Sequence, residues 1–214
     1  MFEAFYEQLS RSQNTEIKET AISMLISYSI NRKDFSKAEE LINTLPSSSI
    51  DKEERIAILY TEQGKYSDAL KIWEHRILNS MTEIQTALMN MLDIAVKEKR
   101  MEDADFYADI YEQASKLFYV TPWIPYHAKL SLSIIKKDKN ECLSALTSTL
   151  TAMHEKWKPE ESPLYKHLDS SETNILSEHF FSMILDEMEQ GNEFAFLEKN
   201  QEYQKLLRDM KNLL

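Results

Sequence analysis

Five histidines and one cysteine are the side chains of this 214-residue chain best suited to metal binding, proton transfer or nucleophilic attack. A helical zinc site needs two histidines four positions apart, with a glutamate beside the first. His75, His127, His154, His167 and His179 include no such pair, and His154-Glu155 lacks the second histidine. Cys142 has no partner for an internal disulfide, and it falls in an amphipathic pattern with Leu132, Ile135, Leu143 and Leu146. A reduced small hydrophobe in a core is the expectation for it. A strained nucleophile elbow or a phosphate-cradling loop needs clustered glycines. The chain has two, Gly64 and Gly191, far apart. The carboxylate pairs Glu39-Glu40, Glu53-Glu54 and Glu160-Glu161 stand at solvent-face spacings. These residues predict no catalytic site, no metal and no cofactor. The chain is expected to bind rather than to be an enzyme.

What positions a binding surface here is helix. Two glycines and five prolines are too few for the many tight turns of a β fold, so long helices with short connections are expected. Charged residues at 29% and hydrophobic ones at 43% are an ordinary soluble balance. The ten methionines and ten tyrosines fit core filling between helices. The net charge of −11 is spread over both halves, and no run of Lys or Arg exceeds two. That leaves no footprint for a phosphate backbone, so direct nucleic-acid binding is not expected. The longest nearly apolar run, Ala21 to Ile30, is too short to cross a membrane, and the start lacks the basic and apolar regions of a secretory signal. A cytoplasmic protein is the simplest expectation.

The clearest segment runs from Arg55 to Glu74. Ile56, Leu59 and Tyr60 form a helical stripe, Gly64 ends it, and Tyr66, Ala69, Leu70 and Trp73 open a second helix. Similar hairpins are expected at Ile17–Asn31 with Phe35–Leu45, at Ile84 to Tyr111, and at Tyr126 to Leu150. Asn31 is expected to supply the left-handed C-cap of the first, and Thr15 its N-cap. Pro46 with Ser47, Ser48 and Ser49 is expected to cap the second, and Thr121-Pro122 the fourth. Small residues recur at Ala38, Ala69, Ala104 and Cys142, separated by 31, 35 and 38 residues. The domain reading is an N-terminal helix over 1–16, four hairpins over 17–157, and a linker with C-terminal capping helices over 158–214. The linker is placed at 158–170, and Tyr203, Leu206, Leu207 and Met210 form the face of the closing helix.

Gly64, Tyr66 and Ala69, following Tyr60, resemble the glycine, aromatic and alanine of the tetratricopeptide repeat, a helix-turn-helix unit of about 34 residues. The resemblance implies an all-α solenoid of helical hairpins. The order of degenerate repeats, a loop at Ser162-Pro-Leu-Tyr165 and closing segments at Phe194-Ala-Phe-Leu197 and Tyr203-Gln-Lys-Leu-Leu207 also resembles the C-terminal regions of Xre-type helix-turn-helix transcriptional regulators of Firmicutes. Those regulators carry an N-terminal DNA-reading domain of several helices, for which the residues before Ile17 do not suffice. The resemblance therefore implies a peptide- or protein-binding, ligand-sensing and dimerisation part of such a regulator. A stand-alone scaffold bridging two proteins is the alternative. In tetratricopeptide arrays the first helix of each hairpin lines a concave groove. Carrying over the phase of the small residues implies a lining of Ser23, Ser27, Glu54, Ile58, Met89, Asp93, His127 and Ser131. Glu54 and Asp93 beside apolar side chains suit a basic, apolar peptide, and His127 near Asp93 would strengthen binding as pH falls. The apolar residues Phe2, Phe5 and Tyr6 at one end, with Tyr203, Leu206 and Met210 at the other, are a candidate homodimer surface.

Overall fold

A computed structural model describes residues 2–46 and 50–213, with the side chains of residues 50, 51 and 172 excepted. The chain is all-helical, and among the described residues there is no strand. The helices are α1 (Phe2–Leu9), α2 (Thr15–Asn31), α3 (Phe35–Thr44), α4 (Ile50–Glu62), α5 (Tyr66–Lys97), α6 (Met101–Leu117), α7 (His127–Lys136), α8 (Lys139–His154), α9 (Ser171–Gln190) and α10 (Gln201–Lys211). Short 3₁₀ turns at Ile124–Tyr126, Pro159–Glu161 and Ala195–Leu197 punctuate the second half. The helices divide into two compact units, Met1–Ile77 and Leu78–Leu214. No described helix is long and apolar enough to cross a membrane.

The turns carry the repeat. Lys33, Gly64, Lys99 and Lys137 are left-handed, with φ of 59°, 77°, 62° and 54°. In each case the left-handed residue and the one after it donate N–H bonds back into the ending helix. Gly64 N bonds to Thr61 O at 3.1 Å and Lys65 N to Tyr60 O at 2.8 Å; Lys99 N bonds to Val96 O and Arg100 N to Ala95 O. The pattern satisfies carbonyls that a helix end would otherwise leave open. Five residues beyond each left-handed residue stands Ala38, Ala69, Ala104 or Cys142, none more than 3% exposed. Its own N–H bonds to the residue that opens the new helix: Asp34, Lys65, Arg100 and Asp138 respectively. One local geometry is thus written four times, and each copy ends with a small side chain buried on the first turns of the next helix.

Unit one packs α1 to α4 and the opening of α5. Ile22, Ile26 and Ile30 recur every fourth residue along α2 and meet Ala38 and Ile42 of α3, Leu45, and Leu59 of α4. Full burial of an aliphatic side chain of this size stabilises by about 1.5–3 kcal/mol. α1 lies against α2, with the Phe2 ring stacked on Tyr28 at 5.5 Å and Lys37 bonded to Glu3 at 2.6 Å. That contact holds Lys37 above its ordinary pKa and Glu3 below its own.

Unit two has two cores. Leu92 and Ala95 of α5 meet Ala104, Ala108 and Tyr111 of α6 and Ala128 and Leu132 of α7. Cys142, Leu146 and Leu150 of α8 meet Phe181 and Leu185 of α9, Phe194, Leu197, and Tyr203 and Leu206 of α10. Burial raises the Cys142 thiol pKa, as suits a core hydrophobe.

Several local expectations change. Asn14, not Thr15, caps α2, accepting from Ile17 N at 3.1 Å. Lys33 rather than Asn31 takes the left-handed place, because Asp34 caps α3 and fixes the register from the far side. No break separates the second and third hairpins: α5 is one 32-residue helix, since 75–83 holds no glycine or proline to stop it. α7 begins only at His127, since the prolines at 122 and 125 are taken up by a turn. The expected serine cap of α4 at 47–49 lies outside the described residues. Residues 158–170 are no linker, for Pro159, Tyr165 and Leu168 are buried in unit two. Tyr203 and Leu206 also face that core, so they offer no dimer surface; Phe2 and Phe5 remain 48% and 56% exposed.

Candidate functional site

The eight groove positions fall four in each unit. In unit one, Ser23 is 6% exposed and lies beneath the surface. Ser27 donates to the Ser23 carbonyl at 3.1 Å and accepts from Arg55 Nη1 at 2.9 Å. Glu54 pairs with Arg76 at 3.5 Å, and Ile58 packs on the α2–α4 core. Arg55, absent from the expected set, is the cation that meets the α2 hydroxyl row. In unit two, Met89 packs on the core beneath α5, Ser131 is half-buried and Asp93 is exposed. His127 is exposed, and its ring stands beside those of Tyr111 at 6.3 Å and Trp123 at 6.4 Å. Desolvation by that surround lowers its pKa, with no carboxylate opposing. The shift is opposite in direction to the one a neighbouring Asp93 carboxylate would give, so the pairing that the expected rise in binding at lower pH needs has no support.

A concavity lies elsewhere, at the C-terminal end of α6 in unit two. It holds about 510 Å³ and is lined by Lys116, Tyr119, Tyr126, Trp157, Lys158 and Glu161, with Pro122, Pro125, Pro159 and Pro163 between them. Ligand clefts commonly fall in this size range and mix apolar walls with a few polar groups.

The cleft exists because α6 ends in an unusual way. Tyr119 is left-handed at φ 49°, with Tyr119 N bonded to Lys116 O and Val120 N to Ser115 O. It repeats the turn of the four hairpins without the small residue that follows them. The last carbonyls of α6 are met by aromatic side chains from 157–165. Trp157 Nε1 donates to Tyr119 O at 3.1 Å, and Tyr165 Oη donates to Phe118 O at 2.6 Å. Trp157 is itself clamped: its N–H donates to Asn174 Oδ1 at 2.8 Å, and Asn174 Nδ2 donates to its carbonyl at 3.1 Å. Burial pushes the Tyr165 hydroxyl up to about 12, so it remains a donor at neutral pH.

With its indole N–H spent on backbone, Trp157 presents ring surface to the cleft beside the prolines, while Tyr165 lies fully buried behind it. Tyr119 is 63% exposed there. Charge sits at the rim. Lys116 bonds to Glu112 and stands 5.3 Å from the Tyr126 ring centroid, a cation–π distance. Burial pushes Glu112 up, but bonds from Lys116 and from Lys129 at 2.6 Å outweigh it and hold the carboxyl below its usual range. Lys158 pairs with Glu161 at 3.2 Å. Ser115 is fully buried and accepts from Gln85 Nε2 at 2.9 Å, so its hydroxyl is engaged inward. This lining offers aromatic stacking, apolar contact and exchangeable ion pairs to a bound molecule.

The sequence signal for this cleft is the doubling of aromatic and proline residues at 119–126 and again at 157–165. Read separately, each looked like a helix stop or a linker; only folding sets them side by side. Comparison with known proteins adds no relative: no family model, no curated protein and no solved structure matches this chain.

Proposed function

We propose that this chain is a peptide- or protein-binding module of tetratricopeptide-like hairpins, the ligand-sensing part of a bacterial transcriptional regulator. The observation that carries the reading is the turn written four times, with its left-handed residue, its pair of backbone bonds and its buried small side chain in one register. Such repeats present continuous surfaces to extended partners. Within unit two the cleft at the end of α6 is the seat we assign to the ligand. Its prolines and the Tyr119 and Tyr126 rings suit an extended segment bearing proline or aliphatic side chains, since aromatic-lined grooves receive preformed extended chains at low entropic cost. The −11 net charge of the chain favours a Lys or Arg in that segment.

A displayed library of random decapeptides, selected against the whole chain, tests this directly. Apolar or proline-bearing peptides with a basic residue are expected. They should lose about five- to 100-fold in affinity for a Tyr119→Ala, Tyr126→Ala double variant, since each lost stacking partner costs about 0.5–1.5 kcal/mol. Selection of acidic peptides, or equal binding to parent and variant, refutes the assignment.

A further inference from the structure

Three helices of unit two expose apolar stripes. On α9 the stripe holds Ile175, Leu176, Phe180 and Met183. That helix contains no lysine or arginine, so two copies facing each other would meet like charges. On α6 the stripe holds Phe106, Ile110 and Leu117, and its only cation, Lys116, is tied to Glu112. The stripe on α5 differs. Ile84, Ala87, Met91 and Ile94 follow a heptad spacing, and Ile84, Met91 and Ile94 are 46%, 43% and 51% exposed. The adjoining face of the same helix, with Met81, Leu92 and Ala95 at 2% or less, is the one that packs inward.

We propose that the Leu78–Lys97 part of α5 pairs antiparallel with the same segment of a second copy of this chain, along Ile84, Ala87, Met91 and Ile94. In heptad terms Ile84 and Met91 are a positions and Ala87 and Ile94 are d positions. A parallel pair would set the flanking g residues, Glu83, Asn90 and Lys97, against e residues. Those are Met81, Leu88 and Ala95, which serve the chain's own core. An antiparallel pair sets g against g instead. With Ile84 opposite Ile94 of the second copy, and Ala87 opposite its Met91, Glu83 faces Lys97 of the second copy and Asn90 faces Asn90. One two-fold axis satisfies every layer: large against small at the centre, equal branched residues outside, and an opposite-charge pair at each end. That self-complementarity is what an isologous dimer requires. Four layers cover about 15 Å of helix, so the contact is at the small end of stable interfaces and the dimer is of micromolar strength.

Sedimentation velocity of the full chain from about 5 to 200 µM reads the equilibrium in the range expected of so small a contact. A monomer–dimer equilibrium is expected. Glu83→Lys alone and Lys97→Glu alone each place like charges at both ends, and each should weaken dimerisation about tenfold. Both residues are exposed, and circular dichroism should show both variants folded as the parent is. The double variant, Glu83→Lys with Lys97→Glu, restores opposite charges and should return to within about threefold of the parent. A parent that stays monomeric throughout overturns the proposal. So does a dimer indifferent to the single changes, or one that the double change fails to restore.

Discussion

Three of the four hairpin turns place a lysine where the backbone favours glycine, which makes their strain measurable. Lys33, Lys99 and Lys137 are left-handed and exposed. An L-residue in this conformation costs about 1–2 kcal/mol. Replacing it with glycine removes that cost but loosens the unfolded chain by about 0.4–1 kcal/mol. The net expectation for Lys99→Gly is a gain of about 0.5–1 kcal/mol, or roughly 1–4 °C in Tm for a chain of this length. The three sites are far apart in sequence and lie in separate turns, so the triple variant should gain about the sum. The reciprocal change is Gly64→Ala. No atom lies within 4 Å of where its Cβ would stand, so no clash contributes. Its expected loss is about the same 0.5–1 kcal/mol, all from backbone. Urea unfolding followed by circular dichroism, with each variant beside the parent, gives these differences from the midpoint shift. If the lysine-to-glycine variants are destabilised while Gly64→Ala is neutral, the turn geometry is wrong and the fourfold repeat built on it fails.

Three further outcomes follow from packing and ionisation. Ala104→Leu, and Ala38→Leu in the other unit, should each cost about 1–3 kcal/mol by overpacking, because both alanines are fully buried; thermal unfolding reads the loss. Ala69→Phe, at a position 3% exposed, should behave alike. Tyr165→Phe removes the donor to Phe118 O and should cost about 1–3 kcal/mol in urea unfolding, with peptide affinity falling as the cleft wall loosens. Burial holds Tyr111, Tyr165 and Tyr203 up to about 12, and for a raised pKa the stabilisation is complete below the unfolded value and lost above it. Absorbance near 295 nm should therefore show these tyrosines titrating late, with stability falling between about pH 10 and 12.

The fold was legible where residue type and geometry have one reading. Glycine at 64 and the small residues at 38, 69, 104 and 142 located four turns because their backbone and packing demands are narrow. Legibility failed where the demand was met by an unexpected residue. Asparagine tolerates the left-handed region better than lysine, yet position 33 takes that conformation, because Asp34 is the residue that caps α3 by accepting from Lys37 N at 3.2 Å. The continuity of α5 was hidden by the repeat pattern itself, which implies a break that nothing in the local chemistry enforces. The C-terminal stripe of Tyr203 and Leu206 was read correctly as amphipathic; whether such a stripe meets its own core or another copy depends on α8 and α9, which lie far away in sequence.

The cleft was illegible for a different reason: its parts come from three places that depend on one another. Tyr119 supplies both a ring to the cleft and the carbonyl that Trp157 binds, while its backbone sits in a strained region that a small residue would hold more cheaply. Trp157 in turn is positioned by Asn174 of α9, and Tyr165 by the end of α6. A molecule seated against Tyr119 and Trp157 therefore presses on the end of α6 and, through Asn174, on the start of α9. A ligand that fits only this arrangement of the two helices would stabilise it by its differential affinity. For the binding role proposed above, this is the physical basis on which occupancy would be reported.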